Sequence, residues 1–377
     1  MTYESPYRFG PPVEAPFFCD RDDELEIIVN RMMSGLHVFL LSPRRYGKSS
    51  LLSRAAYVVE RDGGRCAYVN LLFCANEAEL ASAIMTAIVK SVLSKPGRAQ
   101  RRLEDLVRRI RVKPRVTIDE NGGASIAFDS TMSSQDWVVV LQDAIAILED
   151  SASKGPAVLI LDEFQVVANI GPRGIGGTFK GVADQAKRTS LAFSGSHLSI
   201  MENLTKGKGA PLYGMGERIV LDVVPEAPMV KYLIQRAKRF EKKLTVTSAR
   251  LIYHEAGAIP NYVQQLALAA FEIAGEEITS GDVQRGAEGI TDRQVGDYAN
   301  RYEDLAPSQQ RVLRALAIEP RSAVYAKSFL NAVGVANANA VRKALQVLSG
   351  KEIVARSNGK WIVSDPFFKR WLGRSPE

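Results

Sequence analysis

At 377 residues, 46% apolar and 24% charged, the chain has the composition of an ordinary globular protein and is too long for one compact core, so two or three domains are expected. No apolar stretch reaches the ~20 residues that span a bilayer, and the polar start from Met1 to Gly10 lacks a charged-then-apolar leader. A soluble, cytoplasmic protein with no membrane partner is the expectation. Cys19, Cys66 and Cys74 form no C-x-x-C pair, and His37, His197 and His254 are isolated, so neither a disulfide framework nor a transition-metal site is indicated.

The net charge of +7 is concentrated at one end. Asp304 to Glu377 holds 12 Lys/Arg against 5 Asp/Glu, and the preceding 303 residues balance at 37 of each sign. This asymmetry points the C-terminal segment toward a polyanion or an acidic protein partner.

In chain order, short apolar runs alternate with helical periodicity, the pattern of a parallel sheet covered by helices. The strands predicted are His37 to Leu41, Cys66 to Leu71, Ala157 to Leu161, Ser190 to Phe193 and Arg218 to Val223. Helices are predicted over Ser49 to Arg61, Glu77 to Ser94, Gln135 to Ser151 and Thr178 to Lys187. An insertion, 98–130, interrupts the alternation. Arg98 to Arg115 carries eight basic residues against Glu104 and Asp105, then Val116-Thr117-Ile118, an Asn121-Gly122-Gly123 turn and Ser125 to Phe128 read as a β-hairpin. After Pro225 the strand signal stops, and Met229 to Tyr302 reads as helical, with breaks at Gly257 to Pro260 and near Ser280-Gly281. Helices over Gln309 to Ile318, Ala323 to Val333 and Asn337 to Ser349, then a strand pair around Ser357-Asn358-Gly359, give the order of a winged helix. The domains expected are an α/β domain over 1–224, a helical lid over 225–302 and a winged helix over 303–377.

The strand His37 to Leu41 empties into Ser42-Pro43-Arg44-Arg45-Tyr46-Gly47-Lys48-Ser49-Ser50 and a helix. Such a junction offers phosphates backbone N–H groups and a positive helix end, with Lys48 for the β/γ-oxygens and the Ser49 hydroxyl for Mg²⁺. The G-x-x-x-x-G-K-[ST] pattern has Ser42 where it expects glycine; that serine is strained only if its φ is positive. The run Val158 to Leu161 ends in Asp162-Glu163, at the strand end where parallel sheets bind ligands. One carboxylate is needed to orient Mg²⁺ and one to polarise water in line with the γ-phosphate, roles assigned to Asp162 and Glu163. After Leu191-Ala192-Phe193, Ser194 or Ser196 is placed to sense the γ-phosphate or to cap the next helix.

These motifs resemble the archaeal-type AAA ATPase family, a branch of the signal-transducing ATPases with numerous domains (STAND) related to origin-recognition ATPases. The resemblance rests on Phe18-Cys19-Asp20-Arg21-Asp22-Asp23-Glu24-Leu25, Pro43-Arg44-Arg45, Asp162-Glu163-Phe164-Gln165, Pro211-Leu212-Tyr213-Gly214, Gly257-Ala258-Ile259-Pro260 and Asp365-Pro366-Phe367-Phe368. It implies a P-loop α/β fold of the AAA type with a helical lid and a C-terminal winged helix, binding ATP or ADP with Mg²⁺ and hydrolysing ATP slowly. It also implies that Arg21 and Pro260 approach the nucleotide and that nucleotide controls self-association. The chain departs from the family pattern at Asp20, where glycine is usual, and at Met215, where the family has arginine; Arg218 is a weak substitute for an arginine finger.

In the third helix of the winged module, Val341, Ala344, Leu345 and Leu348 share one face, and Asn339, Arg342, Lys343 and Gln346 the other. Those amide and basic side chains suit base edges and phosphates, and Arg356 to Lys360 forms a basic wing tip, so Asn339, Arg342, Lys343, Gln346 and Lys360 are the candidate DNA contacts. The expected function is a nucleotide-controlled switch, with ATP between α/β domain and lid and the winged helix as output. Its alternative is a nucleotide-dependent scaffold whose winged helix docks a protein and leaves DNA alone.

Overall fold

The computed structural model describes all residues except 1–4, 15, 94–98, 120–122, 153–154, 171–174, 336, 358 and 375–377. The chain divides into two compact units, one formed by Arg21–Ser42 and Lys48–Leu221, the other by Met1–Asp20, Pro43–Gly47 and Asp222–Glu377.

The α/β unit runs α1 (Asp22–Met33), β1 (His37–Leu41), α2 (Lys48–Arg61), β2 (Arg65–Asn70), α3 (Glu77–Leu93), α4 (Ala99–Arg109), β3 (Arg115–Ile118), β4 (Ala124–Ala127), α5 (Ser134–Ser151), β5 (Ala157–Asp162), a 3₁₀ turn (Phe164–Asn169), α6 (Ile175–Ala183), β6 (Thr189–Gly195), α7 (Leu198–Thr205) and β7 (Gly216–Val220). Five strands form one parallel sheet in the order β2-β5-β6-β1-β7. Every residue of β5 and of β6 is buried, as expected of central strands covered on both faces, and this is why they read as unbroken apolar runs. Leu41 lies opposite Gly195 and Leu161 opposite Phe193, so the chain leaves β1, β5 and β6 at the same end of the sheet. Beneath that end, Phe39 stacks on Phe193 at 4.8 Å between centroids, and Phe164 meets Phe193 edge-on at 4.6 Å. Ser133 and Asp136 close a capping box at the start of α5.

Three sequence expectations shift here. The helix expected over Thr178 to Lys187 lies at Ile175–Ala183, the strand expected over Arg218 to Val223 lies at Gly216–Val220, and the turn expected at Asn121-Gly122 falls outside the described residues, although Arg115↔Ala127 to Ile118↔Ala124 pair as antiparallel strands.

The second unit contains α8 (Glu226–Arg239), β8 (Lys243–Leu244), α9 (Val246–Glu255), α10 (Pro260–Ile273), β9 (Glu277–Ile278), α11 (Ser280–Arg293), α12 (Val295–Glu303), α13 (Pro307–Ile318), α14 (Lys327–Val333), α15 (Ala338–Gly350), β10 (Val354–Ser357), β11 (Lys360–Val363) and α16 (Pro366–Arg374). Its helices start where capping chemistry permits: Thr245 before α9, Thr279 with Asp282 before α11, Asn337 before α15, and Pro260 in the first turn of α10. The strand signal does not stop altogether after Pro225, because β8 and β9 pair in parallel. The N-terminal segment packs on these helices, with the Tyr7 hydroxyl donating to Leu233 O at 2.8 Å and the Arg236 guanidinium to Pro6 O at 2.7 Å. In the winged module, α13, α14 and α15 are followed by the β10–β11 hairpin, and Arg321 adds an antiparallel bridge to Trp361. No helix among the described residues is long and apolar enough to cross a membrane.

Candidate nucleotide site

The loop between β1 and α2 is built on two positive-φ residues, Arg45 at 71° and Gly47 at 93°. Gly47 fits that conformation without strain, and lacks the Cβ that would penalise it. Ser42 is not among the positive-φ residues, so the serine at the first loop position costs the backbone nothing. It also serves the loop: the buried Lys48 ammonium donates to Ser42 O at 2.8 Å and to Ser42 Oγ at 3.3 Å. Lys48 opens α2 and is followed by Ser49 and Ser50 in its first turn, where N–H groups and the positive helix end favour anions.

Ser49 Oγ donates to Asp162 Oδ2 at 2.6 Å, across 113 residues of sequence. Asp162 is fully buried at the end of β5, and its Oδ2 accepts a second hydroxyl from Tyr68 of β2 at 2.5 Å. A buried carboxylate and a serine hydroxyl in contact are hard oxygen donors of the type that hold Mg²⁺ through one or two protein groups. Burial first, then the Asp162 charge, pushes the Tyr68 phenol far above its ordinary range, so it remains a hydrogen-bond donor.

Glu163 follows in the left-handed region at φ 56°, a conformation that costs a non-glycine residue about 1–2 kcal/mol and clusters at functional sites. Its carboxylate accepts from Ser196 Oγ at 3.1 Å and from Gln165 Nε2. Gln165 also bonds Ser196, through Nε2 to Oγ at 3.2 Å and through Oε1 from Ser196 N at 3.2 Å. Ser196, Gln165 and Glu163 therefore form one closed network. Ser194 Oγ is buried and has no partner among the described residues.

The tip of the loop belongs to the other unit. Arg44 pairs with Glu352 at 2.9 Å, and Arg45 with Asp365 at 3.5 Å. Arg45 also donates to the Tyr262 hydroxyl, lies 4.5 Å from the Tyr262 ring centroid and accepts from Asn261 N at 3.4 Å through its carbonyl. Asp365 caps α16, accepting from Phe367 N at 2.9 Å and Phe368 N at 3.1 Å. Burial raises its pKa, only partly offset by those amides and by Arg45. Tyr46 sits in the hydrophobic core of this unit, and burial raises its phenol pKa as well.

The remaining sequence-predicted residues are distributed as follows. Arg21 is buried ahead of α1 and bonds Glu24 at 2.7 Å; Asp20 and Arg21 both have positive φ, 57° and 78°, a region that glycine enters without strain. Pro260 begins α10, directly before the Asn261 and Tyr262 that meet Arg45. Met215 packs against the α/β core, and Arg218 lies 3.6 Å from Glu202. In α15, Val341, Ala344, Leu345 and Leu348 are buried, whereas Asn339, Arg342, Lys343 and Gln346 are exposed. Lys360 is exposed on β11, and Asn358 of the wing lies outside the described residues. Sequence reasoning missed Tyr68, Tyr262, Glu352 and Asp365 as neighbours of the loop and its carboxylate.

A parallel sheet in this strand order, with Gly-Lys-Ser after β1 and Asp-Glu after β5, is the P-loop fold of the AAA type, and a winged helix ends the chain. Comparison with known proteins agrees at the level of fold. Residues 296–374 match a family model described as "Probable winged helix domain". A Walker-type ATPase of Pyrococcus abyssi superposes with a TM-score of 0.68 at 16% identity, covering 98% of this chain and 99% of that one. The Aeropyrum pernix ORC2 protein, in ADPNP-ADP complexes, gives 0.56 at 15% identity over 97% and 94% of the two chains. The Aeropyrum pernix ORC1 protein in complex with DNA gives 0.50 at 16% identity over 97% and 94%. No curated protein matches the chain.

Proposed function

We propose that the protein is an ATP-hydrolysing switch whose phosphate loop reports nucleotide state to the C-terminal unit. The observation that carries this reading is the division of labour within one loop: Lys48 and Ser49 face Ser42 and Asp162, while Arg44 and Arg45 are paired with Glu352 and Asp365. Lys48, Ser49, Ser50 and the loop backbone would hold the phosphates, and Ser49 with Asp162 would hold Mg²⁺. When bound there, Mg²⁺ would supply positive charge that offsets the charge of the phosphates. Glu163, once its carboxylate turns from Gln165 and Ser196, takes a proton from the attacking water as the bond to the γ-phosphorus forms and the bond to ADP breaks. Arg21 and Ser196 are assigned to the rim of the nucleotide site. The ATP-analogue complex of the ORC2 structural neighbour supports the ligand class.

Phosphate oxygens and the carboxylates of Glu352 and Asp365 compete for the same two guanidinium groups. Glu352→Gln with Asp365→Asn keeps the shape of both side chains and the α16 cap while removing the competing charge. Partly exposed pairs of this kind contribute ~0.5–1 kcal/mol each, so the double variant is expected to bind ATP about 5-fold or more tightly by calorimetric titration. Hydrogen exchange across Glu255 to Gln265 is expected to slow with ATP or ADP in the native chain. Unchanged ATP affinity in the double variant, with exchange indifferent to nucleotide, would disconnect the loop from the C-terminal unit.

The output surface is proposed to be the exposed face of α15 with Lys360 on the wing, meeting duplex DNA. Four polar or basic residues on one face of a helix opposite an apolar face favour this reading, as does the DNA complex of the ORC1 neighbour. Docking of an acidic protein on the same face is the rival.

A further inference from the structure

We propose that the hairpin β3–β4 is a self-association edge, through which β3 pairs antiparallel with β3 of a second copy of this chain. The two edges of the hairpin are treated differently. Along β4, α3 closes the edge: Thr86 Oγ1 accepts from Ile126 N at 2.9 Å and donates to Ile126 O at 3.1 Å, and Ser82 Oγ accepts from Phe128 N at 2.9 Å. Ile126 thus turns its main-chain groups away from β3. In an antiparallel ladder its opposite number, Val116, and the next in phase, Ile118, must turn theirs away from β4. The bond from Asp119 N to Gly123 O, at 2.9 Å, fixes the same phase. Among the described residues β4 is the only strand paired with β3, so this edge is open.

The side chains continue the asymmetry. Val116 lies opposite Ile126 and Ile118 opposite Ala124, so all four share one face of the hairpin. Ile126 and Ala124 are each 2% exposed within the α/β core, whereas Val116 is 37% and Ile118 55% exposed. The apolar face therefore runs out past the edge of its own cover. Edge strands are often blunted by a charge, and Arg115, which lies 3.5 Å from the exposed Asp129 of its own chain, is one here. Asp119, two residues beyond Thr117, is its opposite at the mirror position. Antiparallel pairing about Thr117 sets each Arg115 against Asp119 of the second copy, and Val116 against Ile118 of the second copy. It adds about four main-chain hydrogen bonds and brings the four exposed apolar side chains onto one face. Charge self-complementarity about a single residue selects a second copy over a foreign strand.

The test is sedimentation equilibrium of the full chain, with and without nucleotide, at concentrations up to about 100 µM. A concentration-dependent dimer is expected. Arg115→Asp, which opposes like charges in both symmetric pairs, is expected to weaken it by at least ~10-fold. Arg115→Asp with Asp119→Arg restores opposite charges and is expected to recover the dimer. Because Asp119 Oδ1 accepts from Gly123 N at 2.7 Å, the second substitution perturbs the turn. If that double variant melts lower than the native chain, Ile118→Lys, at an already exposed position, decides: a lost dimer supports the pairing and an intact one overturns it. A chain that stays monomeric throughout, a dimer indifferent to Arg115→Asp, or a monomer that instead captures an extended acidic peptide, overturns it too.

Discussion

Replacing Glu163 with glutamine is expected to leave ATP bound and to slow its hydrolysis by at least ~10²-fold, the scale of losing a positioned general base. The reason lies in the division between two adjacent carboxylates. Asp162 is fully buried and engaged by two hydroxyls, Ser49 and Tyr68, and its place at the end of β5 is fixed by the sheet. Glu163 is held by side chains alone, those of Gln165 and Ser196, on a left-handed backbone position. Glutamine preserves size and accepts or donates in the same network, but it takes no proton from water. Single-turnover hydrolysis under saturating ATP reads the effect directly. Hydrolysis at the native rate would move the base elsewhere, and loss of ATP binding would mean that Glu163 holds the nucleotide rather than the water.

Substituting Arg342, Lys343 and Lys360 together with alanine is expected to flatten the salt dependence of duplex DNA binding by up to ~3 units in log K against log salt, since each neutralised phosphate contributes about −0.9. All three residues are exposed, and Arg342 and Lys343 stand opposite the buried stripe of α15. Their removal leaves that packing untouched, so turnover without DNA is expected to stay near the native rate. Fluorescence anisotropy across a salt series gives the slope. An unaltered slope would shift the contact to the basic insertion, where Arg108 and Arg109 are exposed on α4. No duplex binding even at low salt would favour a protein partner for the same face.

The sheet was legible in the sequence because burial on both faces leaves little choice of residue. Val158 to Leu161 and Ser190 to Phe193 read as strands since every position there must be apolar or small. The faces of α15 were legible for the complementary reason, a helix half buried and half wet. What escaped was either too short or too distant. Strands β8 and β9 have two residues each, below any periodicity, and α16 was hidden because Asp365-Pro366 reads as a motif before it reads as a cap with proline in the first turn. The loop's pairing with Glu352 and Asp365 spans some three hundred residues of sequence, and no local pattern encodes it. Tyr68 looked like one more strand residue, and only the register that sets Asn70 beside Asp162 brings its hydroxyl to that carboxylate. The serine at the head of the loop departs from the motif at a position where only a positive φ strains it; Ser42 lies outside the positive-φ set and its carbonyl accepts from Lys48.

The most direct measurement is calorimetric titration of ATP with Mg²⁺ into the purified chain and into its Lys48→Ala variant, with melting temperatures recorded for both. Lys48 is buried, and its ammonium is the single charge placed at the start of α2. Losing one partner of a buried, charge-assisted contact costs about 2–5 kcal/mol, a weakening of at least ~30-fold. Saturable binding by the native chain, reduced by that factor or more in a variant that melts near the native temperature, is the expected result. Equal affinity in the two proteins, or no ATP binding by the native chain, would contradict the assignment of Gly47-Lys48-Ser49 as the phosphate site.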